Sequence, residues 1–138
     1  MKIVNPKIFT VLDTIYKFEM SSNPEILIFI LNINDSYDKI EIKAALLNRS
    51  AFKWYFYDKK INVFGVTNYN GIDVLVFGNR SSLFFEKRIK VDFPIFRKQL
   101  KVNRKKNRFA PIYDFFVWVY YLKDNRFILD KRGSFPIW

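Results

Sequence analysis

The sequence predicts a mixed α/β domain of the α+β kind, with helices packed on a mixed sheet. Three observations predict it. The segment NPKIFTVLDTIYKFEM carries the start signal and the apolar spacing of a helix. Further on, short runs rich in Val, Ile, Phe, Tyr and Trp alternate with clusters of Asn, Asp, Gly and Ser, the pattern of strands and turns. A chain of 138 residues, half of them hydrophobic, has the length for one domain and the apolar content for one sizeable core.

Taken in order, Asn5 is a candidate N-cap and Pro6 stands at the first helical position. Ile8, Leu12 and Ile15 recur at i, i+4 and i+7, so residues 5–20 form a short amphipathic helix. Ser21-Ser22-Asn23-Pro24 breaks the chain. Glu25–Asn34 is a compact apolar run that suits a strand or the end of a buried helix; strand is the reading adopted. Residues 35–50 also admit two readings. Ile40-Glu41-Ile42-Lys43 alternates like a strand, but Tyr37, Ile40, Ala44, Leu47 and Ala51 follow helical spacing. The Ala-Ala-Leu-Leu run decides for a helix over 35–50, capped by Asp35 or Ser36.

Strands follow at 52–57 (FKWYFY) and 61–66, separated by the turn Asp58-Lys59-Lys60. The stretch GIDVLVFGNRSSLFFEKR reads as a hairpin of strands 72–77 and 83–91 joined through Gly-Asn-Arg-Ser-Ser. Pro94 opens a basic segment whose Ile95, Phe96, Gln99 and Leu100 fit one face of a short helix. Tyr113–Leu122 has helical spacing, but its Val and aromatic density favours a buried strand. With the turn Lys123–Arg126 and the return Phe127–Leu129 it makes a C-terminal hairpin over 113–130. No repeat or linker divides the chain, so 1–138 is expected to be one domain, with 1–34 an extension packed on a core at 35–138.

Composition narrows the chemistry. There is no Cys and no His. Disulfides, thiolate or imidazole metal sites and histidine-dependent triads are therefore excluded, and carboxylate–metal chemistry is what mainly survives. The apolar run Ile26–Leu31 is too short to span a membrane, and the N-terminus lacks a signal-peptide pattern. A cytoplasmic protein without a membrane partner is expected. The net charge is +11 and unevenly placed. Residues 1–84 carry ten Lys and Arg against eight acids, whereas residues 85–138 carry fourteen against five. Within Arg97–Arg108 seven residues are basic and none is acidic: Arg97, Lys98, Lys101, Arg104, Lys105, Lys106 and Arg108. Such a block favours a polyanion, and nucleic acid, DNA by default, is the expected partner. A homodimer and a protein partner are left open.

Asp73 stands near the start of one central strand and Glu86 near the end of the next. Strand alternation turns Glu86 and Arg88 to one side and Lys87 to the other. Two carboxylates beside a cation suit Mg²⁺ or Mn²⁺, which keep several waters and bind substrate phosphate. The ordinary reading is a pair of strand-end acids with surface cations. Glu41, at the edge of the apolar stripe of the 35–50 helix, is by itself an exposed helical acid. Trp54 and Trp118 read as core.

The order of helix with Glu41, strand, Asp73 strand and Glu86 strand resembles the PD-(D/E)xK, or restriction-endonuclease-like, nuclease superfamily. The words that carry it are IEIKAALLNRSAFKWYF, NGIDVLVF and LFFEKR, across residues 36–90. The resemblance is to small resolvase-like and homing-endonuclease-like members. It implies a restriction-endonuclease-like core and phosphodiester hydrolysis, with Asp73 and Glu86 on the metal, Glu41 as helix acid and Arg88 in place of the family's lysine. Ile72 stands where a proline often precedes the aspartate. The arginine leaves a second expectation open: a nuclease-like protein that binds nucleic acid without cleaving it. A third is a protein-interaction module of the inhibitor or immunity type from a mobile element.

Overall fold

The structure, a computed structural model, describes residues 2–19, 27–55, 63–86 and 116–137. Asn5 caps as its side chain predicts: Oδ1 accepts the Lys7 backbone N–H at 3.1 Å. Pro6–Ile8 make one 3₁₀ turn that runs into helix α1, Phe9–Glu19. Ile8, Val11, Leu12 and Ile15 form its buried face.

Among the described residues there are eight strands: β1 (Lys2–Ile3), β2 (Leu27–Ser36), β3 (Lys39–Asn48), β4 (Val63–Tyr69), β5 (Ile72–Phe77), β6 (Phe85–Glu86), β7 (Val117–Lys123) and β8 (Arg126–Gly133). A second helix, α2, spans Arg49–Tyr55. The main sheet has the order β4-β5-β2-β3-β7-β8, and β1 pairs β6 in a small separate ribbon. Only the β2–β5 contact is parallel; the other four contacts of the main sheet are antiparallel. The expected mixed α+β class is therefore present. α1 covers one face and β2 lies at the sheet's centre, so both elements are integral to the core.

Three expectations are corrected. Residues 39–48 of the expected 35–50 helix are strand β3. Ile40 to Lys43 do alternate, but Ala44–Leu47 are buried on both faces, which erases the period of two. Within the expected 52–57 strand, residues up to Tyr55 belong to α2. Asn48 starts that helix by accepting the Ser50 N–H at 2.7 Å, so a cap outweighs the β-propensity of FKWY. The hairpin of 72–77 with 83–91 does not form. β5 matches 72–77 but pairs with β4, through the Asn70-Gly71 turn with φ of +50° and +83°, and with β2. Ser81–Leu83 make a 3₁₀ turn, β6 is two residues long, and 87–91 lie outside the described residues. The strand expected at 61–66 is present as β4 over Val63–Tyr69, with 61 and 62 outside the described residues. The C-terminal hairpin is present as β7–β8, closed by Asp124 and Asn125 at φ of +50° and +60°.

Each face of the sheet carries a buried cluster. On the first face, odd residues of β2 and even residues of β3, β5 and β7 pack against α1, Phe84 and Phe85. On the second, Ile28, Ile30, Ala45, Leu75 and Val119 pack against Ala51 and Phe52 of α2 and against Ile137. Ile137 is 2% exposed, which stabilises the fold by about 2 kcal/mol. Its carbonyl accepts Asn32 Nδ2 at 2.6 Å, satisfying a polar group that is itself buried.

After β5 the chain folds back over β2. Gly78 has a φ of +112°, and a Cβ there would stand 2.2 Å from the Ile33 carbonyl oxygen. Only glycine allows this approach. Asn79 and Arg80 then lash the loop down: Asn79 N–H donates to Asn34 Oδ1, and Arg80 Nε donates to Asp35 Oδ1 at 2.7 Å.

Candidate functional site

The three acids picked from the sequence lie apart. Asp73, the second residue of β5, is opposite Ile28 of β2 and Asn68 of β4. Its side chain is on the second face, where Arg49 Nη2 donates to Oδ2 at 2.6 Å. Arg49 opens α2, so Asp73 anchors that helix. Glu41, on β3, shares the second face but lies opposite Asn34. Ile28 and Asn34 are six residues apart along β2, which separates the two carboxylates by about 20 Å. Glu86 pairs with Lys2 in the ribbon. The adjacent Phe85 is buried among the first-face residues and Glu86 is exposed, which places Glu86 across the sheet from the other two.

A divalent ion does not fit this arrangement. Asp73 is committed to Arg49, and Glu41 to Lys43 at 3.6 Å and to the Tyr121 hydroxyl, which donates to Oε2 at 3.2 Å. Among the described residues, no three acids come together as a metal site. Arg88 and the basic segment, Arg97 to Arg108, lie outside the described residues. Trp118 is core, 3% exposed.

What the fold does assemble is the far half of the second face. α2 and Ile137 cover the half near Ile28, and the rest of the face carries most of its charged side chains. Pairing sets its rows. Glu41, Tyr121 and Ile128 form one row across β3, β7 and β8. Lys43, Val119 and Lys131 form the row on one side; Lys123 pairs with Arg126 on the other, where Lys39 also lies. Among the strand residues of this half-face, five cations, Lys39, Lys43, Lys123, Arg126 and Lys131, outnumber two acids, Glu41 and Asp130. The patch extends about 13 Å along β3, from Lys39 to Lys43.

A bulge shapes its centre. The β7–β8 register jumps between Val119↔Lys131 and Tyr120↔Leu129, which leaves Asp130 as the extra residue. Bulges re-aim side chains in this way. Lys39, Tyr121, Lys123, Ile128, Leu129 and Asp130 enclose an open cavity of about 270 Å³. The Lys39 ammonium lies 5.2 Å from the centre of the Tyr121 ring. Partial desolvation, the neighbouring Glu41 carboxylate and Asp130 push the Tyr121 phenol above its ordinary value of 10.0. Tyr121 thus remains a neutral hydrogen-bond donor. Sequence reading passed over this patch, although Lys39-x-Glu41-x-Lys43 alternates as polar strand residues do.

Two further clusters lie on the first face. The Arg132 guanidinium stacks on Phe18, Phe116 and Trp118 at 4.2, 4.9 and 5.0 Å from the ring centres, fastening β8 to α1. Burial raises the Glu19 carboxyl above its ordinary 4.5, while Trp118 and Arg132 act in the opposite direction. The Tyr69 hydroxyl donates to Asp13, and burial together with that carboxylate pushes the phenol up to about 12.

Among the described residues, no helix is long and apolar enough to cross a membrane. No protein-family model matches this chain, and no curated protein or solved structure was found to be similar to it.

Proposed function

We propose that this protein binds nucleic acid through the cationic half of its second sheet face, in concert with the basic segment Arg97–Arg108. The observation that carries the reading is the clustering of Lys39, Lys43, Lys123, Arg126 and Lys131 around Tyr121 on one sheet face. Lys and Arg ammonium and guanidinium groups displace counterions from phosphates, so affinity arises without sequence recognition. The net charge of +11 supplies the long-range attraction that brings a polyanion to the patch.

A restriction-endonuclease-like core is supported only at the level of architecture: a mixed sheet with a helix on each face and Asp73 near the start of a strand. Members of that superfamily typically carry an acid on the first core helix, whereas Glu41 is on a strand about 20 Å from Asp73. The function proposed is therefore binding without metal-dependent hydrolysis.

The test is the salt dependence of affinity for DNA and RNA, as duplexes and as single strands. Each phosphate neutralised steepens the log–log slope by about 0.9 on duplex DNA and about 0.7 on single strands. Replacing Lys39, Lys43 and Lys131 together by Gln should flatten the slope and weaken binding. Absence of binding to every polyanion at low salt overturns the proposal, and so does an unchanged slope in the triple variant. A supercoiled plasmid incubated with Mg²⁺ or Mn²⁺ should remain intact. Nicking that Asp73→Ala removes would reinstate hydrolysis.

A further inference from the structure

We propose that the cavity between β3, β7 and β8 is a subsite for one unstacked nucleobase, which makes single-stranded nucleic acid the preferred ligand; this rests on the nucleic-acid reading above. Three observations converge on it. The first is size. About 270 Å³ lies just below the ~300–1,000 Å³ typical of ligand pockets, room for a single flat ring system rather than an extended ligand.

The second is chemistry. Tyr121 lines the cavity with an aromatic ring, and Ile128 and Leu129, 47% and 46% exposed, offer apolar walls. Base–aromatic stacking tolerates any base, because every base has a π-face. The Lys39 ammonium lies 5.2 Å from the centre of that ring, so a stacked base takes the place of this flexible side chain, which swings to the rim. Lys39 and Lys123 stand at the rim, where the phosphates flanking an inserted base would lie. A base paired within a duplex cannot enter without being extruded, so an already unpaired strand pays less to bind.

The third is the bulge. It turns Asp130 into the cavity as an acceptor with no role in the ladder of β7 and β8. A carboxylate accepts from the exocyclic amine of cytosine or adenine, whereas thymine and uracil present a carbonyl at that position. The subsite should therefore discriminate amine-bearing bases from thymine and uracil.

The experiment uses fluorescence anisotropy on the full chain with dC, dA and dT dodecamers and a mixed-sequence duplex. The parent should bind dC and dA several-fold more tightly than dT. Tyr121→Leu should lose about tenfold in affinity for the dC strand. The loss on the duplex should be smaller than the loss on the dC strand. Tyr121→Phe, which keeps the ring and removes the hydroxyl, should retain dC binding and so separate stacking from folding. Asp130→Asn should shrink the preference for dC over dT. If duplex and all single strands bind alike and Tyr121→Leu changes none of them, the subsite is refuted while nucleic-acid binding stands. If no nucleic acid binds, both proposals fail.

Discussion

Arg49 and Asp73 meet at 2.6 Å, and this ion pair ties the first residue of α2 to the start of β5. Asp73→Ala should therefore act on stability. Both side chains are about a third exposed, so the loss should be about 0.5–1 kcal/mol, smaller at high salt. Urea titration checks this. An unchanged midpoint would mean that the pair holds nothing.

Gly78 and Gly71 both have positive φ, but only Gly78 is crowded. Gly71→Ala should cost about 1–2 kcal/mol, the ordinary penalty of the left-handed region. Gly78→Ala must also move the Ile33 backbone and should cost at least about 3 kcal/mol. Parallel thermal melts of the two variants compare them. Similar losses would show that the loop can lift off β2.

Tyr69 should make the fold sensitive to alkali. Burial and the Asp13 carboxylate push this phenol from the ordinary 10.0 up to about 12, so the folded state holds a proton that the unfolded chain gives up first. The stabilisation is complete below pH 10.0 and is lost as the pH rises through about 12. Tyr69→Phe should flatten that decline, as followed by circular dichroism between pH 9 and 12. A parallel decline in parent and variant would remove Tyr69 as the cause.

Arg132 screens Glu19, whose carboxyl burial has already raised above 4.5. A raised carboxyl stabilises fully below 4.5 and loses that contribution as the pH climbs through its folded value. Arg132→Gln removes the compensating charge and raises the carboxyl further. The variant should lose about 1 kcal/mol of stacking at any pH. At pH 7 it should lose more than at pH 4. Equal losses at the two pH values would uncouple Glu19 from Arg132.

Local signals were legible wherever one local rule decided the outcome. Asn5-Pro6 and the Ile8, Leu12, Ile15 spacing fixed the first helix, and β5 lies at the expected residues. β3 was misread because a central strand buried on both faces loses its alternation, and Ala-Ala-Leu-Leu suits either structure. α2 was misread because its side chains favour strands, while its cap, Asn48, lay inside the expected 35–50 helix. The acids at 41, 73 and 86 looked adjacent because sequence neighbours were taken as spatial neighbours. β5 instead crosses to the parallel side of β2, and this long-range pairing separated them. The Tyr121 cavity needs three strands and a bulge in register, and no local pattern encodes that.

The hydrogen bond between Asn32 and the Ile137 carbonyl joins residues 105 positions apart. Loop-closure entropy must be spent before such a contact returns anything. The β2–β3 hairpin can form early, since its turn is local, but β5 joins β2 from some 45 residues downstream. Ile137 completes the buried cluster on the second face. Refolding should accordingly run on the slow, millisecond-to-second side of the two-state range, with the β2–β3 hairpin waiting for its last partner.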